Sequence, residues 1–293
     1  MRQMPSLRKI PDYPVTGGLC VLALVTSILF WANGPSSIDA IDMHPAAFHG
    51  EPWRLLASVL PHGDFLHLAF NLYWTWIFGT LVEEVFGSWW TALLLVFLAA
   101  GSAAAEYAVF VGGIGLSGIG FGLCGLLWVL GKRDPRFLGA VDKVVVQLFV
   151  AWFFLCIVLT VTGALPVANV AHGSGAVIGV CMGLAISARD TGRRRAAILL
   201  NVAWLVGISL GATVALPWVN QADGGGRDLG WRAAILLENG EITEGTRLLD
   251  QAIEIGGGEF HPGFVKARRT LDRMMEPRME PLAVPPAPGD DPR

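Results

Sequence analysis

Ser117 and His172 each lie in an apolar stretch long enough to cross a bilayer, and the pair is suited to nucleophilic catalysis. The serine stands in Gly115-Leu116-Ser117-Gly118. The histidine ends Ala168-Asn169-Val170-Ala171-His172 and is followed by Gly175 and Gly179. A hydroxyl and a titratable base are costly in lipid unless they are buried in protein or face a water-filled cavity. Two of them on separate spans, with small residues around both, point to serine chemistry carried out inside the membrane.

The glycines say how the two would meet. Gly118 and Gly122 stand four apart, with Gly125 beyond them, and His172, Gly175 and Gly179 follow the i, i+3, i+7 pattern of one helical face. Small residues at this spacing permit close helix approach in lipid. Packing the two faces would bring Ser117 within hydrogen-bond reach of His172. The histidine would take the serine proton and later return it to the leaving amine. No acidic residue is placed in sequence to orient the ring: the nearest are Glu106 before Ser117 and Asp190 at the far end of the His172 span. The expected arrangement is a dyad, its ring held by packing, with Phe121 one turn after Ser117 as the stacking partner.

A tetrahedral intermediate needs donors for its oxyanion. His67 and Asn71 share a helical face at i, i+4, and His62 lies just before that span. A histidine N–H, the Asn71 amide and the Ser117 backbone N–H are the expected oxyanion-hole donors.

The elements that must position these residues follow from composition. The chain has 293 residues, 53% hydrophobic and 15% charged, with a mean hydropathy of +0.54. Soluble domains carry roughly 25% charged residues, so this is an all-α, polytopic membrane protein. The net charge of -3 gives no basis for nucleic-acid binding. Seven spans are expected at about 15–33, 65–82, 88–111, 113–131, 144–165, 167–188 and 196–219. Gly112-Gly113 alone would join the third to the fourth. Basic clusters at Arg2, Arg8 and Lys9, at Lys132, Arg133, Arg136 and Lys143, and at Arg189, Arg193, Arg194 and Arg195 fall on one side of seven spans. The positive-inside rule makes that side cytoplasmic. Span 1 has no Ala-x-Ala-like site after it and reads as an anchor rather than a cleaved signal.

The expected organisation is a cytoplasmic N-terminus (1–14), a six-helix core (15–188), a basic loop with a seventh span (189–219), a polar helical tail (220–280) and a proline-rich disordered end (281–293). Within the tail, Trp231, Ala234 and Leu237 would face Leu248, Leu249, Ala252 and Ile253 across a turn at Asn239-Gly240, a spacing that resembles half of a tetratricopeptide repeat. Loop 34–64 carries Phe48, Trp53, Leu55, Leu56, Val59 and Leu60 and is expected to lie partly in the interface. Cys20, Cys124, Cys156 and Cys181 all lie in apolar spans without metal-ligand spacing and read as small core hydrophobes. No metal or cofactor is expected.

Taken together the motifs resemble those of the rhomboid intramembrane serine proteases. The matching residues are Trp53-Arg54, His62-x4-His67-x3-Asn71, Gly115-Leu116-Ser117-Gly118 and Ala171-His172-x2-Gly175-x3-Gly179, in family order over roughly residues 15–188. The resemblance implies a rhomboid-like six-helix core with Ser117 as nucleophile, His172 as base, and His67 and Asn71 as oxyanion-hole side chains. His62, Gly115, Gly118, Phe121, Asn169, Gly175, Gly179, Trp53 and Arg54 would support them. It further implies hydrolysis of other membrane proteins near the outer surface of a membrane, here a bacterial inner membrane, without a cofactor. Where the family commonly has tyrosine four residues after the serine, this chain has Phe121, so any hydroxyl contact is absent. A six-plus-one arrangement is known in the family; it would put the tail on the outer side, where it would meet a substrate or a partner.

Each residue alone has a plainer reading. Serine in a transmembrane helix usually bonds the carbonyl four residues back, and asparagine can be interhelical glue. Trp53-Arg54 is either an interfacial anchor or a loop element. Glu83-Glu84 reads as a structural group binding helix-end donors. Glu106 either snorkels or lines a water-filled cavity, and His44 and His49 are expected to face solvent. Two other functions are open to such a chain: a catalytically silent relative that binds transmembrane segments, and a transporter. Keeping both serine and histidine argues against the first, and the lack of an inverted repeat against the second. Substrate entry would run between spans 4 and 5 or through motion of span 5 and the outer loops.

Overall fold

The computed structural model describes residues 5–222, 226–260 and 262–275. Arg2 and the proline-rich end at 281–293 lie outside the described residues. The chain forms two compact units that divide at Gly226, close to the boundary expected at residue 220.

The described residues of the first unit form seven long helices: α1 Pro14–Asn33, α2 Phe65–Phe86, α3 Ser88–Val109, α4 Ser117–Arg133, α5 Lys143–Val161, α6 Asn169–Ser187 and α7 Thr191–Gly211. Among the described residues, six of these are long and apolar enough to cross a membrane. The exception is α4. Its 17 residues fall short of the ~20 that span a hydrocarbon core. It lies inside a ring of α2, α3 and α6, and Leu116, Leu123, Leu126, Leu127 and Leu130 are fully buried.

The helix starts are written in short polar side chains. Asp64, Asp142 and Asp190 each accept a backbone N–H at the start of α2, α5 and α7. Arg193, Arg194 and Arg195, expected in a loop, belong to α7; the Asp190 cap offsets cations placed at a positive helix end. Glu83 ties the other end of the bundle. It accepts from Val15 N–H at 3.0 Å, Thr16 N–H at 2.8 Å and the Ser88 hydroxyl at 2.8 Å, so one carboxylate joins the start of α1, the end of α2 and the start of α3. This is the structural role expected of it.

The fourth span departs most from expectation. The chain leaves α3 at Val109 and does not become helical again until Ser117. Gly112 and Gly115, at φ 98° and 106°, take the left-handed region that side chains resist. They turn an apolar stretch that reads as helix into a loop.

The chain after α7 hooks back. A turn and the one-turn helix Leu216–Val219 lead to Asn220, whose amide donates to the Tyr107 carbonyl at 3.1 Å and the Phe110 carbonyl at 2.5 Å. Gln221 N–H donates to the Val109 carbonyl at 2.7 Å. These are carbonyls that the end of a helix leaves without partners. Residue 220 therefore sits at the same end of the bundle as the 110–116 loop.

Loop 34–64 folds at that end too. Arg54 is buried, and its guanidinium donates to Glu51 at 2.5 Å, to the Asp39 carbonyl at 2.6 Å, and to the Asp42 side chain at 3.0 Å. It is a loop organiser rather than an interfacial anchor. Trp53 is exposed, its indole N–H on the Ala40 carbonyl at 3.3 Å. His49 is exposed as expected, whereas His44 is half-buried and its ring accepts the Ala46 N–H. Cys124, Cys156 and Cys181 are buried and Cys20 is half-buried; none forms a disulfide.

The second unit contains α8 Gly226–Glu238, α9 Ile242–Phe260 and α10 Pro262–Met275. Gly240, at φ 82°, makes the expected turn. The apolar face of α8 is not the expected one. Ala233 is buried and Ala234 exposed, and Ala233, Leu248 and Leu249 pack with Leu229, Leu236, Leu237 and Ile253. Leu229, Ala233, Leu236 and Leu237 follow i, i+4, i+7, i+8, the stripe that faces a core. Helix α10 adds a third helix to the hairpin expected in the tail, and Gly256-Gly257-Gly258 lies within α9.

Candidate active site

Ser117 is the first residue of α4, so its own backbone N–H has no acceptor within the helix. His172 is the fourth residue of α6. The serine Oγ lies 2.8 Å from His172 Nε2. Histidine Nδ1 has no hydrogen-bond partner among the described residues. For the serine hydroxyl to donate to Nε2, the ring proton must sit on Nδ1. The ring is 3% exposed and stacks on Phe121, with centroids 4.6 Å apart and planes at 19°. Phe121 is braced edge-on by Phe149 of α5 at 5.1 Å. Packing thus orients the ring, as the sequence suggests.

Close contact of α4 and α6 sets the 2.8 Å distance. A methyl group on Gly175 would meet the Gly118 carbonyl, with its carbon at 3.0 Å; one on Gly179 would meet the Gly122 carbonyl, with its carbon at 2.7 Å. Gly118 in turn leaves room for Ser102 and for the Ala171 carbonyl. Backbone touches backbone along this seam, which only glycine allows. Asn169 holds the start of α6: its amide donates to Thr160 Oγ1 at 2.8 Å and to the Val167 carbonyl at 3.1 Å.

His62 is fully buried and fixes the loop before Ser117. Its Nδ1 lies 2.9 Å from the Leu60 carbonyl and 3.2 Å from Ser27 Oγ. A carbonyl only accepts, so the proton is on Nδ1 and Nε2 accepts the Leu116 N–H at 3.2 Å. Burial, with the neighbouring His67 second, pushes its pKa down to about 3, against the pull of the Leu60 carbonyl and Asp64. The ring is therefore neutral at physiological pH and keeps the acceptor that Leu116 needs.

His67 and Asn71 are placed less completely. His67 is half-buried, its ring 4.8 Å from that of His62, and a methyl group on Gly115 would lie 2.7 Å from it. It thus borders the loop that delivers Ser117. Asn71 is buried, and its amide nitrogen donates to the His67 carbonyl at 2.9 Å, within its own helix. One of its two N–H groups is engaged there rather than aimed at a shared oxyanion position. Among the described residues, no three His, Cys, Asp or Glu side chains are grouped to hold a metal ion.

Glu106 does not snorkel. It is 4% exposed, and Oε2 accepts the Ala171 N–H at 2.9 Å.

The family model described as Rhomboid domain matches residues 49–189, which include every residue of this site. Over that stretch the chain is similar to the rhomboid family. It is similar to proteins named Rhomboid protease GlpG: 32% identical over 194 residues to that of Klebsiella pneumoniae, covering 62% of this chain and 66% of the relative. It is 28% identical over 176 residues to that of Pectobacterium atrosepticum, covering 58% and 61%. The chain thus spans just under two thirds of the length of these curated relatives. With the six apolar helices, the family makes this a multi-pass membrane protein.

Proposed function

We propose that this protein is an intramembrane serine endopeptidase with a Ser117–His172 dyad, acting on transmembrane segments of other membrane proteins. The observation that carries the reading is the 2.8 Å contact of Ser117 Oγ with His172 Nε2 at the start of a buried helix. His172 Nε2 takes the hydroxyl proton as Oγ attacks the scissile carbonyl carbon. The carbonyl oxygen becomes an oxyanion, met by the free Ser117 N–H and by His67 and Asn71 after side-chain adjustment. Collapse breaks the C–N bond, the imidazolium returns its proton to the leaving amine, and Ser117 holds the acyl group as an ester. Water, deprotonated by His172, then releases the acid and restores the serine. A fully hydrogen-bonded substrate helix hides its carbonyls, so helix-breaking residues near the cut favour cleavage.

The membrane is a bacterial inner membrane, with the three basic clusters on the cytoplasmic face and Ser117 toward the outer one. The seventh helix crosses the same bilayer, and the tail from residue 220 lies on the outer side and meets substrates or a partner protein. Deleting residues 222–293 is expected to change which of a panel of single-span substrates are cut while leaving Ser117 reactivity intact; an unchanged panel sinks the tail's role.

The test of the enzyme reading uses purified protein in detergent and in lipid, wild type beside Ser117→Ala. Wild type is expected to be labelled by a fluorophosphonate and to cleave a model single-span substrate, and the variant to do neither. A wild type that neither labels nor cleaves in either medium overturns the reading and leaves a binder of transmembrane segments.

A further inference from the structure

We infer that Glu106 is a positioning residue for His172, acting through the backbone at the start of α6; the catalytic half of this inference rests on the reading above. The dyad has no carboxylate on its ring: Nδ1 of His172 is without a partner among the described residues, and stacking on Phe121 restrains the ring plane but not its height along α6. That height is set by where α6 begins. The residue before the helix is Ala168, which has no side chain to cap it. The Asn169 amide is turned away to Thr160 and the Val167 carbonyl. The N–H of Ala171, third in the helix, belongs to the group that a helix leaves unpaired.

Glu106 supplies what the local sequence lacks. It reaches from the last turn of α3, 65 residues away, and its Oε2 accepts the Ala171 N–H at 2.9 Å. The carbonyl of the same residue faces Gly118, 3.4 Å from where a methyl group there would lie. Ala171 is thus held on its N–H side by Glu106 and on its carbonyl side by the residue that follows Ser117. Ala168 packs on Gly113, where an added methyl group would be 2.6 Å from its side chain and 3.7 Å from Glu106 Cγ. The end of α3, the loop before Ser117 and the start of α6 therefore meet at Glu106, one peptide unit from the base. A third triad member would hold the imidazole ring; this carboxylate holds the peptide that carries it.

The test compares wild type, Glu106→Ala and Glu106→Gln in the full chain. Two readouts are used: backbone hydrogen exchange over residues 168–176, and kcat and KM on a single-span substrate with the rate of Ser117 labelling. Glu106→Ala is expected to speed exchange in that segment. It should lower kcat and labelling about ten- to hundredfold with little change in KM, the scale of a small misplacement of a reacting group. Glu106→Gln keeps an oxygen for the Ala171 N–H and is expected to restore protection and most of kcat. Unchanged exchange in Glu106→Ala overturns the positioning contact. Faster exchange with an unchanged kcat overturns its catalytic use. Equal kcat losses in both variants, in step with equal falls in thermal stability, reduce Glu106 to a packing element and also overturn it. If wild type is inactive while Glu106→Ala still speeds exchange, the positioning contact stands and the protease reading alone fails.

Discussion

His172→Ala is expected to lower substrate cleavage by about 10⁴- to 10⁶-fold, the range seen when one member of a nucleophile–base unit is removed. A serine hydroxyl is a weak nucleophile at neutral pH without a base beside it. On the proposed reading the base is a single group: Nε2 of His172 is the side-chain atom hydrogen-bonded to Ser117 Oγ. His67, the other ring near the loop, lies against Gly115 and is oriented toward His62. The substitution also removes the ring that Phe121 covers, so the thermal midpoint should fall by a few degrees while the helices stay assembled. Cleavage rate, fluorophosphonate labelling and thermal unfolding in detergent would be measured together. Residual cleavage within tenfold of wild type, with the fold intact, would falsify the assignment of the base.

Gly179→Ala is expected to inactivate the protein by a different route. The added methyl group would meet the Gly122 carbonyl, whose carbon is 2.7 Å from its position. A side chain can swing aside; a peptide group within a buried helix cannot. Overpacking of this kind costs about 1–3 kcal/mol where neighbours can relax, and the upper end applies here. The helices must part, and Ser117 and His172, a turn or two toward the loops, part with them. Labelling should fall by about 10²-fold together with the thermal midpoint. Gly120, on α4, the facing helix, is the control. Nothing lies within 4 Å of the methyl group it would gain, so Gly120→Ala should be neutral or stabilise by up to about 1 kcal/mol through helix propensity. Wild-type labelling by Gly179→Ala would mean that this seam does not set the dyad.

Much of this architecture is legible in the chain because lipid forces it into the open. Apolar runs must be helices, and a serine and a histidine among glycines must face protein rather than lipid. The glycine spacing that predicts the α4–α6 seam is local to each helix. Three kinds of feature are hidden. The loop before Ser117 contains Phe110, Val111, Ile114 and Leu116, apolar enough to read as span, and it is glycine φ angles rather than composition that keep it from being helix. The Glu106 contact joins residues 65 apart and caps a backbone group, so no side-chain pattern announces it. In the tail, Ala233 and Ala234 are adjacent and chemically identical; only the position of Leu229, left out of the expected stripe, decides which of them turns inward.

The hook at Asn220 and Gln221 gives the chain a mechanical route. Everything beyond residue 222 is attached to the first unit through a segment that grips the carbonyls of Tyr107, Val109 and Phe110. Those residues directly follow Glu106. A pull on the tail therefore loads the end of α3 before it loads α7, and α3 is the lever whose tip touches the peptide in front of His172. Tension on the chain after residue 222 would reach the Ala171 peptide, next to His172, through Glu106.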